Sequence, residues 1–139
     1  MASIRVRERK DGSSYTAVLY ALDADTHVAL RHFYDAVLGA IGGRRIMETG
    51  DAIGYGTAAP EFWIGRQTTG EGFRESHIAF TAQDRTSVRD FFEAALSAGA
   101  EVIHEPRLWP EYHPNYFGVF VRDPDGNNVE AVCHTAADT

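Results

Sequence analysis

Glu130 is an acidic residue within a largely apolar run. Residues 128–133 read NVEAVC, and in an extended strand successive side chains point to opposite faces of the sheet. Val129 and Ala131 then share one face, and Glu130 lies on the other. An unpaired charge among apolar side chains is costly. Glu130 is therefore either exposed on a one-sided sheet or functional, as a metal ligand or a general base that faces a cavity.

This run is the second strand of a predicted β-hairpin over residues 116–134. An apolar-rich strand, YFGVFV, precedes the turn sequence DPDGN at residues 123–127. Pro124 presets φ for a type I turn, and Gly126 tolerates a positive φ. The aspartates of the turn can accept hydrogen bonds from nearby backbone N–H groups. The turn therefore sets where the strand that carries Glu130 begins.

The composition is that of one globular domain. The chain has 139 residues, of which 44% are hydrophobic and 12% aromatic, which is enough for a single core. No apolar run approaches a membrane span and the N-terminus has no apolar signal segment, so we expect no membrane association and a cytoplasmic location. Cys133 is the only cysteine, which excludes an internal disulfide and a multi-cysteine zinc site. Its place on the apolar face indicates a core residue.

Charge is distributed unevenly along the chain. The net charge is −7, yet residues 1–10 hold four basic side chains and one acidic side chain, a local charge of +3. The rest of the chain therefore carries −10. An acidic body of this kind argues against a nucleic-acid partner.

The two halves of the chain repeat one pattern of elements. Apolar residues recur at helical spacing over residues 30–38 and again over residues 88–96, which predicts two amphipathic helices. At an offset of 58, FYDAVLGA of residues 33–40 aligns with FFEAALSA of residues 91–98. One strand candidate precedes each helix and three follow it. The strand candidates are residues 15–22, 44–49, 52–56 and 61–65 in the first half and 76–82, 101–104, 116–121 and 128–133 in the second.

This repetition predicts a duplicated βαβββ unit. One such unit cannot close its own core, whereas two can pair with curved sheets around a shared cleft. The fold class is then α+β, in a single domain of residues 1–139. Residues 1–25 form an atypical N-terminal β-hairpin, residues 26–66 the rest of the first unit, residues 66–75 a polar linker and residues 76–134 the second unit.

Four segments resemble the vicinal oxygen chelate superfamily, which includes glyoxalase I, the bleomycin-resistance proteins and the extradiol dioxygenases. They are HFYDAVLGAIGGRRI, PEFWIG, HIAFTAQDRTSVRDFFEAALSAGAEV and EYHPNYFGVFVRDPDGNNVEAVCH, within residues 26–134. The resemblance implies the glyoxalase fold, commonly as a homodimer. It also implies a divalent metal ion in the cleft, with His77 and Glu130 as its ligands from the second unit.

The first half departs from the ligand pattern of that superfamily. The uninterrupted offset of 58 aligns Leu19 with His77, and Trp63 is the best match to Glu130. Neither Leu19 nor Trp63 can coordinate a metal ion, so two of the four expected ligands are missing. Four other histidines could replace the missing ligands, namely His27, His32, His104 and His113. His113 is the best placed of them, because it lies in the loop before the closing hairpin.

Aromatic residues concentrate in the same regions of the sequence. We expect a ligand cleft lined by Phe62, Trp63, Tyr112, His113 and Tyr116. Rings of this kind suit a flat or hydrophobic small molecule. Two functions are then open. One is a glyoxalase-like, metal-dependent lyase, isomerase or dioxygenase with Glu130 as the catalytic residue. The other is non-catalytic binding of a small molecule, as in the bleomycin-resistance members, without a complete metal site.

The opening segment does not follow the superfamily pattern. Its sequence, SIRVRERKDGSSYTAVLYALD, resembles the small β-sheet arm at the start of phage-type integrases, where basic strands contact DNA. No recombinase catalytic domain accompanies it. We therefore expect a hairpin of foreign origin that completes the first sheet without carrying a metal ligand and without binding DNA.

Overall fold

The computed structural model describes residues 5–8, 15–21, 24–50, 52–66 and 76–137. Within these ranges the chain forms nine strands and two helices. In chain order they are β1 (Arg5–Glu8), β2 (Tyr15–Ala21), α1 (Ala24–Ala40), β3 (Arg44–Glu48), β4 (Ala52–Gly56), β5 (Phe62–Arg66), β6 (His77–Thr81), α2 (Arg85–Ser97), β7 (Val102–Leu108), β8 (Phe117–Arg122) and β9 (Asn128–Cys133).

The strands form two sheets, one for each predicted βαβββ unit. The first sheet has the order β1-β2-β5-β4-β3 and the second the order β6-β9-β8-β7. In each unit the first strand pairs in parallel with the last, β2 with β5 and β6 with β9. The other pairs along each unit are antiparallel. The predicted α+β fold of two βαβββ modules is confirmed.

The N-terminal hairpin is present in the part that the structure describes. β1 pairs antiparallel with β2, with Arg5 opposite Val18, and it lies at the edge of the first sheet. The turn between the two strands lies outside the described residues. The likeness to an integrase arm stays a prediction, because a two-stranded backbone pairing is common to many folds.

Each helix packs its predicted apolar face into one continuous core. The buried residues of α1 include Leu30, Phe33, Tyr34, Val37 and Leu38, and those of α2 are Val88, Phe91 and Ala95. The Asp84 side chain caps α2 by accepting a 2.7 Å hydrogen bond from the backbone N–H of Ser87, as N-cap residues do. Neither helix is long and apolar enough to cross a membrane.

A buried carboxylate in the closing turn joins the two modules. Asp123 accepts hydrogen bonds at Oδ1 from the backbone N–H groups of Asp125 and Asn127, at 3.0 and 2.9 Å. Its Oδ2 accepts a 3.0 Å bond from the Tyr34 hydroxyl of α1. Gly126 has φ of 89°, so the predicted turn chemistry is confirmed. Burial raises the pKa of Asp123 above its usual value, although these hydrogen bonds oppose the increase.

Two sequence boundaries differ from the structure. β7 runs to Leu108, beyond the predicted end at His104, so the loop before β8 begins only at Trp109. Pro106 lies where the pairing with β8 shifts register, and β7 is an edge strand, which is where a strand tolerates proline. β5 continues to Arg66, and the remaining positions of the predicted linker, 67–75, lie outside the described residues.

The alignment of Leu19 with His77 is wrong. In the sheets Val18 pairs with Trp63, as Ala79 pairs with Glu130. Thr16 lies two residues before Val18, and His77 lies two residues before Ala79. Thr16 therefore occupies the position in the first module that His77 occupies in the second. An uninterrupted offset fails because α1 has 17 residues and α2 has 13, which places three additional residues between the strand and the helix core in the first half.

We expect removal of β2 to prevent folding of the first module, and removal of β1 alone to be tolerated. β2 pairs on both sides, whereas β1 pairs on one, and Ala21 at the end of β2 is fully buried. A chain that begins at residue 15 is expected to unfold cooperatively on heating, and one that begins at residue 24 is expected to lack a cooperative transition by circular dichroism. Equal behaviour of the two truncated chains would contradict the central place of β2.

We expect Tyr34→Phe to lower the free energy of unfolding by about 1–3 kcal/mol, because it removes a donor from a buried carboxylate. Tyr55→Phe is the matched control. The hydroxyl of Tyr55 also donates to a carboxylate, at 3.0 Å, but that of Asp35, whose side chain is 38% exposed. Urea unfolding of both variants tests the difference, and an equal loss in the two would contradict the coupling of the modules through Asp123.

Candidate functional site

Glu130 lies in the middle of the second sheet, on the face that is turned away from α2. It pairs with Ala79 of β6 and Phe120 of β8. Its chain neighbours Val129 and Ala131 belong to the core cluster that α2 covers. The alternation predicted for this strand is therefore present. Glu130 is nevertheless only 1% exposed, so it is not a solvated surface residue.

Both carboxylate oxygens of Glu130 are engaged by side chains of the same chain. His77 Nε2 lies 3.0 Å from Oε2, and the Tyr116 hydroxyl donates to Oε1. The His77 side chain is 52% exposed, whereas that of Glu130 is 2% exposed. His77 and Tyr116 therefore cover the carboxylate and supply the polar contacts that a buried charge requires.

A glycine makes the contact between Tyr116 and Glu130 possible. Tyr116, Gly118 and Phe120 alternate with the core residues of β8 and so follow one face of the sheet. A Cβ at position 118 would lie 3.2 Å from Glu130 Oε1 and 3.3 Å from Tyr116 Cε1. Because Gly118 has no side chain, the ring of Tyr116 can extend across it to the carboxylate.

Aromatic side chains surround this acidic site. Phe120, which is 5% exposed, has its ring centre 5.8 Å from that of His77 and 5.1 Å from that of Trp109. The ring of Tyr112 stacks on that of Trp109, with ring centres 5.8 Å apart. Tyr112 also meets Tyr116 edge to face, with ring centres 5.0 Å apart. The Trp109 indole donates to the carbonyl of Gly118 at 3.2 Å. The loop before β8 is thus anchored beside Glu130.

Two histidines meet at the outer side of Tyr116. His113 Nε2 and His134 Nδ1 are 2.9 Å apart, and the ring centre of each lies 5.3 Å from that of Tyr116. His134 is not among the predicted site residues. The hairpin register could have indicated it, because Phe117 pairs with Cys133 and Tyr116 then lies opposite His134.

Burial of the Tyr116 phenol raises its pKa above the ordinary value for tyrosine. The hydrogen bond to Glu130 raises the pKa further, and so does the negative charge of that carboxylate. All three effects favour the protonated phenol. Tyr116 is therefore held as a hydrogen-bond donor to Glu130 at neutral pH.

The predicted site residues separate into two groups. His77, Tyr116 and Glu130 are in direct contact, and Tyr112 and His113 adjoin them through Tyr116. Trp63 lies on the first sheet, paired with Gly54, where a Cβ at position 54 would be 2.9 Å from the indole. The indole therefore lies over Gly54, and Trp63 occupies the position that corresponds to Glu130.

Phe62 does not share a cleft wall with Trp63, contrary to the prediction. Adjacent residues of a strand face opposite sides, and Phe62 is 4% exposed in the core, with its ring centre 4.7 Å from that of Tyr34. It lines a separate groove of about 360 Å³ between the modules. Ala79 is also in the wall of that groove, so the groove passes beside the strand neighbour of Glu130.

The donors of one chain do not fit the metal ion that the superfamily implies. His77 and Glu130 provide two ligands, whereas catalytic zinc sites use about three protein ligands. The corresponding positions of the first module hold Thr16 and Trp63. In the parts of the chain that the structure describes, no group of three or more His, Cys, Asp and Glu residues is placed to hold an ion.

Comparison with known proteins agrees with this fold and sequence pattern. The model of a glyoxalase-like domain matches residues 20–132, which is most of the chain. No curated protein matches the sequence. The chain belongs to the glyoxalase-like domain family, and so to the vicinal oxygen chelate superfamily that the sequence resembles.

Solved structures share the fold at low identity. A glyoxalase/bleomycin resistance protein from Albidiferax ferrireducens is 24% identical with a TM-score of 0.68, over 85% of this chain and 95% of the other. A lactoylglutathione lyase from Agrobacterium tumefaciens is 22% identical with a TM-score of 0.63, over 89% and 96%. TioX from a Micromonospora species is 18% identical with a TM-score of 0.63, over 91% and 100%. At these identities the likeness shows the fold alone.

We expect Tyr116 to ionise at a higher pH than an ordinary tyrosine, whose pKa is about 10. The folded form then keeps its proton where the unfolded chain loses it, so Tyr116 contributes stability below about pH 10 that is lost as the pH rises further. Ultraviolet difference titration of wild type against Tyr116→Phe isolates this phenol. Glu130→Gln is expected to lower its pKa in part only, because burial is the larger cause. An ordinary pKa for Tyr116 in the wild type would contradict the contact.

Proposed function

We propose that this protein binds a small organic molecule on the open face of its second sheet, at Glu130 and the aromatic residues around it, without a metal ion. One observation carries the proposal. The two oxygens of Glu130 are held by His77 and Tyr116, while the matching positions of the first module hold Thr16 and Trp63. The Glu130 carboxylate is therefore held in an orientation that accepts hydrogen bonds, and the side chains needed to coordinate a metal ion are incomplete.

The chemistry of the site favours a flat ligand that carries a protonated amine or amidine. An ionised carboxylate offers about four acceptor positions, and His77 and Tyr116 occupy one on each oxygen. The ring of Tyr112, which is exposed, provides apolar area and attracts a cation to its face. The net charge of −7 adds a long-range attraction for a cationic molecule.

His77 is the side chain that a ligand would displace. It covers Oε2 of Glu130 yet is half exposed, so it can rotate into solvent without opening the core. Tyr116 packs against Tyr112, His113 and His134 and is the more fixed of the two donors. A ligand N–H group that replaces the His77 nitrogen would keep the carboxylate satisfied, which is the condition for binding at a buried charge.

A metal-dependent lyase, isomerase or dioxygenase is the second candidate. Its support is the 3.0 Å distance between His77 Nε2 and Glu130 Oε2, because two ligands about 2.0–2.2 Å from one ion can be this close. Further ligands would have to come from outside the described residues of one chain. The homodimer expected from the resemblance is one source of them.

We expect proflavine, a planar cation with two amino groups, to bind the protein and to lose roughly tenfold or more in affinity in Glu130→Gln, since a hydrogen bond to a charged group contributes about 1.5–3 kcal/mol. Fluorescence polarisation measures the affinity. Glu93→Gln, on the exposed face of α2, is the control for the loss of one negative charge.

Addition of EDTA is expected to leave proflavine binding unchanged. The anionic dye 8-anilinonaphthalene-1-sulfonate is expected to bind no more weakly to Glu130→Gln than to the wild type. An equal loss in Glu130→Gln and Glu93→Gln, or a proflavine affinity that depends on a divalent ion, would contradict the proposed metal-free site.

A further inference from the structure

Asn128 carries a buried amide oxygen without a hydrogen-bond partner. Within the residues that the structure describes, no donor reaches its Oδ1. The backbone N–H of Asn128 is engaged, since it donates to the Ser76 carbonyl at 2.9 Å. Buried polar atoms of folded proteins nearly always have a partner. The amide oxygen of Asn128 therefore lacks a donor that a bound molecule can supply.

The preceding asparagine has a structural role that Asn128 does not share. Asn127 is fully buried, and its Nδ2 donates to Oδ1 and Oδ2 of Asp123 at 3.2 and 2.9 Å. Its Oδ1 accepts from the backbone N–H of Ser76 at 3.0 Å. The amide of Asn127 thus completes the turn and ties it to the start of β6. No such bond involves the Asn128 amide oxygen in the described part of the chain.

Asn128 and Glu130 share the open face of the second sheet. Both lie on β9, and residues two apart on a strand point to the same side. Asn128 pairs with His77 of β6, as Glu130 pairs with Ala79. His77 Nε2 nevertheless lies 3.0 Å from Glu130 Oε2, so the imidazole extends from the level of Asn128 to that of Glu130. One half-exposed side chain therefore lies beside both residues.

Movement of His77 would make two acceptors available at once. In the proposed function a ligand N–H group takes the place of His77 on Glu130 Oε2. The same movement would open the sheet surface beside Asn128. Residues two apart on a strand are separated by about 6.7 Å, a spacing similar to that between groups on opposite edges of a six-membered ring. The site would then present a charged acceptor and a neutral acceptor to one ring-shaped ligand.

We propose that Asn128 is a second recognition residue of this site. Its amide oxygen accepts a hydrogen bond from a neutral N–H group of the ligand, while Glu130 accepts from the cationic group. The ligand is then a planar aromatic cation with a neutral N–H donor on the edge opposite its charge. The role of Asn128 rests on the proposed function, because it adds a second contact to the same ligand.

The test compares two ligands that differ only in the neutral donor. 4-Aminobenzamidine carries an amino group opposite its amidinium, and 4-methylbenzamidine carries a methyl group of similar size at that position. Isothermal titration calorimetry measures the affinity of both for the wild type, Asn128→Leu and Asn128→Asp. Gln83→Leu, which removes an exposed amide just before α2, is the matched control.

We expect the wild type to bind 4-aminobenzamidine about fivefold or more tightly than 4-methylbenzamidine, the ratio that one neutral hydrogen bond gives. Asn128→Leu is expected to abolish this preference. Asn128→Asp, which keeps an acceptor, and Gln83→Leu are expected to retain it. Equal affinities of the two compounds for the wild type, or a preference that survives in Asn128→Leu, would overturn the role of Asn128.

A second measurement needs no ligand. Asn127→Leu removes an amide that is bonded at both ends, and it is expected to lower the melting temperature by about 5 °C or more. Asn128→Leu removes an unpaired acceptor, and it is expected to leave the melting temperature unchanged or to raise it. A comparable decrease in the two variants would make the Asn128 amide a structural group and would overturn the proposal.

The two ligand families distinguish the role of Asn128 from the proposed function. Proflavine binding that depends on Glu130, together with equal affinities for the two benzamidines, would overturn the role of Asn128 and leave the proposed function standing. Absence of binding by proflavine and by both benzamidines would overturn the two together.

Discussion

A charged carboxylate in the middle of a sheet has to be matched by hydrogen-bond donors, and the open face of the second module is arranged around that requirement. Glu130 is as buried as the core residues on either side of it. An unmatched charge there would cost several kcal/mol. Each nearby feature meets part of this demand, since His77 covers one oxygen, Tyr116 the other, and Gly118 leaves the space that Tyr116 needs.

The βαβββ topology is what brings the donors to the carboxylate. The parallel pairing of β6 with β9 places Ala79 beside Glu130, so His77 lies two residues away on the same face. The antiparallel pairing of β8 with β9 places Tyr116 and His134 opposite each other at the end of the hairpin. A second buried carboxylate, Asp123, fixes the other end of the same hairpin and attaches it to α1 through Tyr34. The position of Glu130 is thus determined at both ends of its strand.

The sequence predicts this framework well, because the framework depends on local patterns. Helical spacing identifies the buried face of α1, and the DPDGN turn identifies the hairpin that presents Glu130. Contacts that depend on register were harder to predict. The uninterrupted alignment pairs Leu19 with His77 because it takes no account of the additional turn of α1. His134 was missed because only the pairing of β8 with β9 places it beside Tyr116.

The ends of elements and the partners of Glu130 could not be read from local pattern. Pro106 indicates a loop in a sequence, yet an edge strand with a bulge accommodates it, and β7 continues to Leu108. Phe62 and Trp63 are neighbours in the sequence but face opposite sides of β5. The hydrogen bond from Tyr116 to Glu130 joins residues 14 positions apart and requires that position 118 has no side chain. The spacing of apolar residues in the sequence does not predict such a contact.

We propose that hydrogen bonds within its own chain satisfy Glu130 and that this carboxylate does not coordinate an ion. Elemental analysis of protein purified without chelators tests it most directly, with His77→Ala and Glu130→Ala measured beside the wild type. We expect a divalent metal content far below one ion per chain and no difference among the three proteins. A content near one ion per chain that is lost in both variants would contradict it.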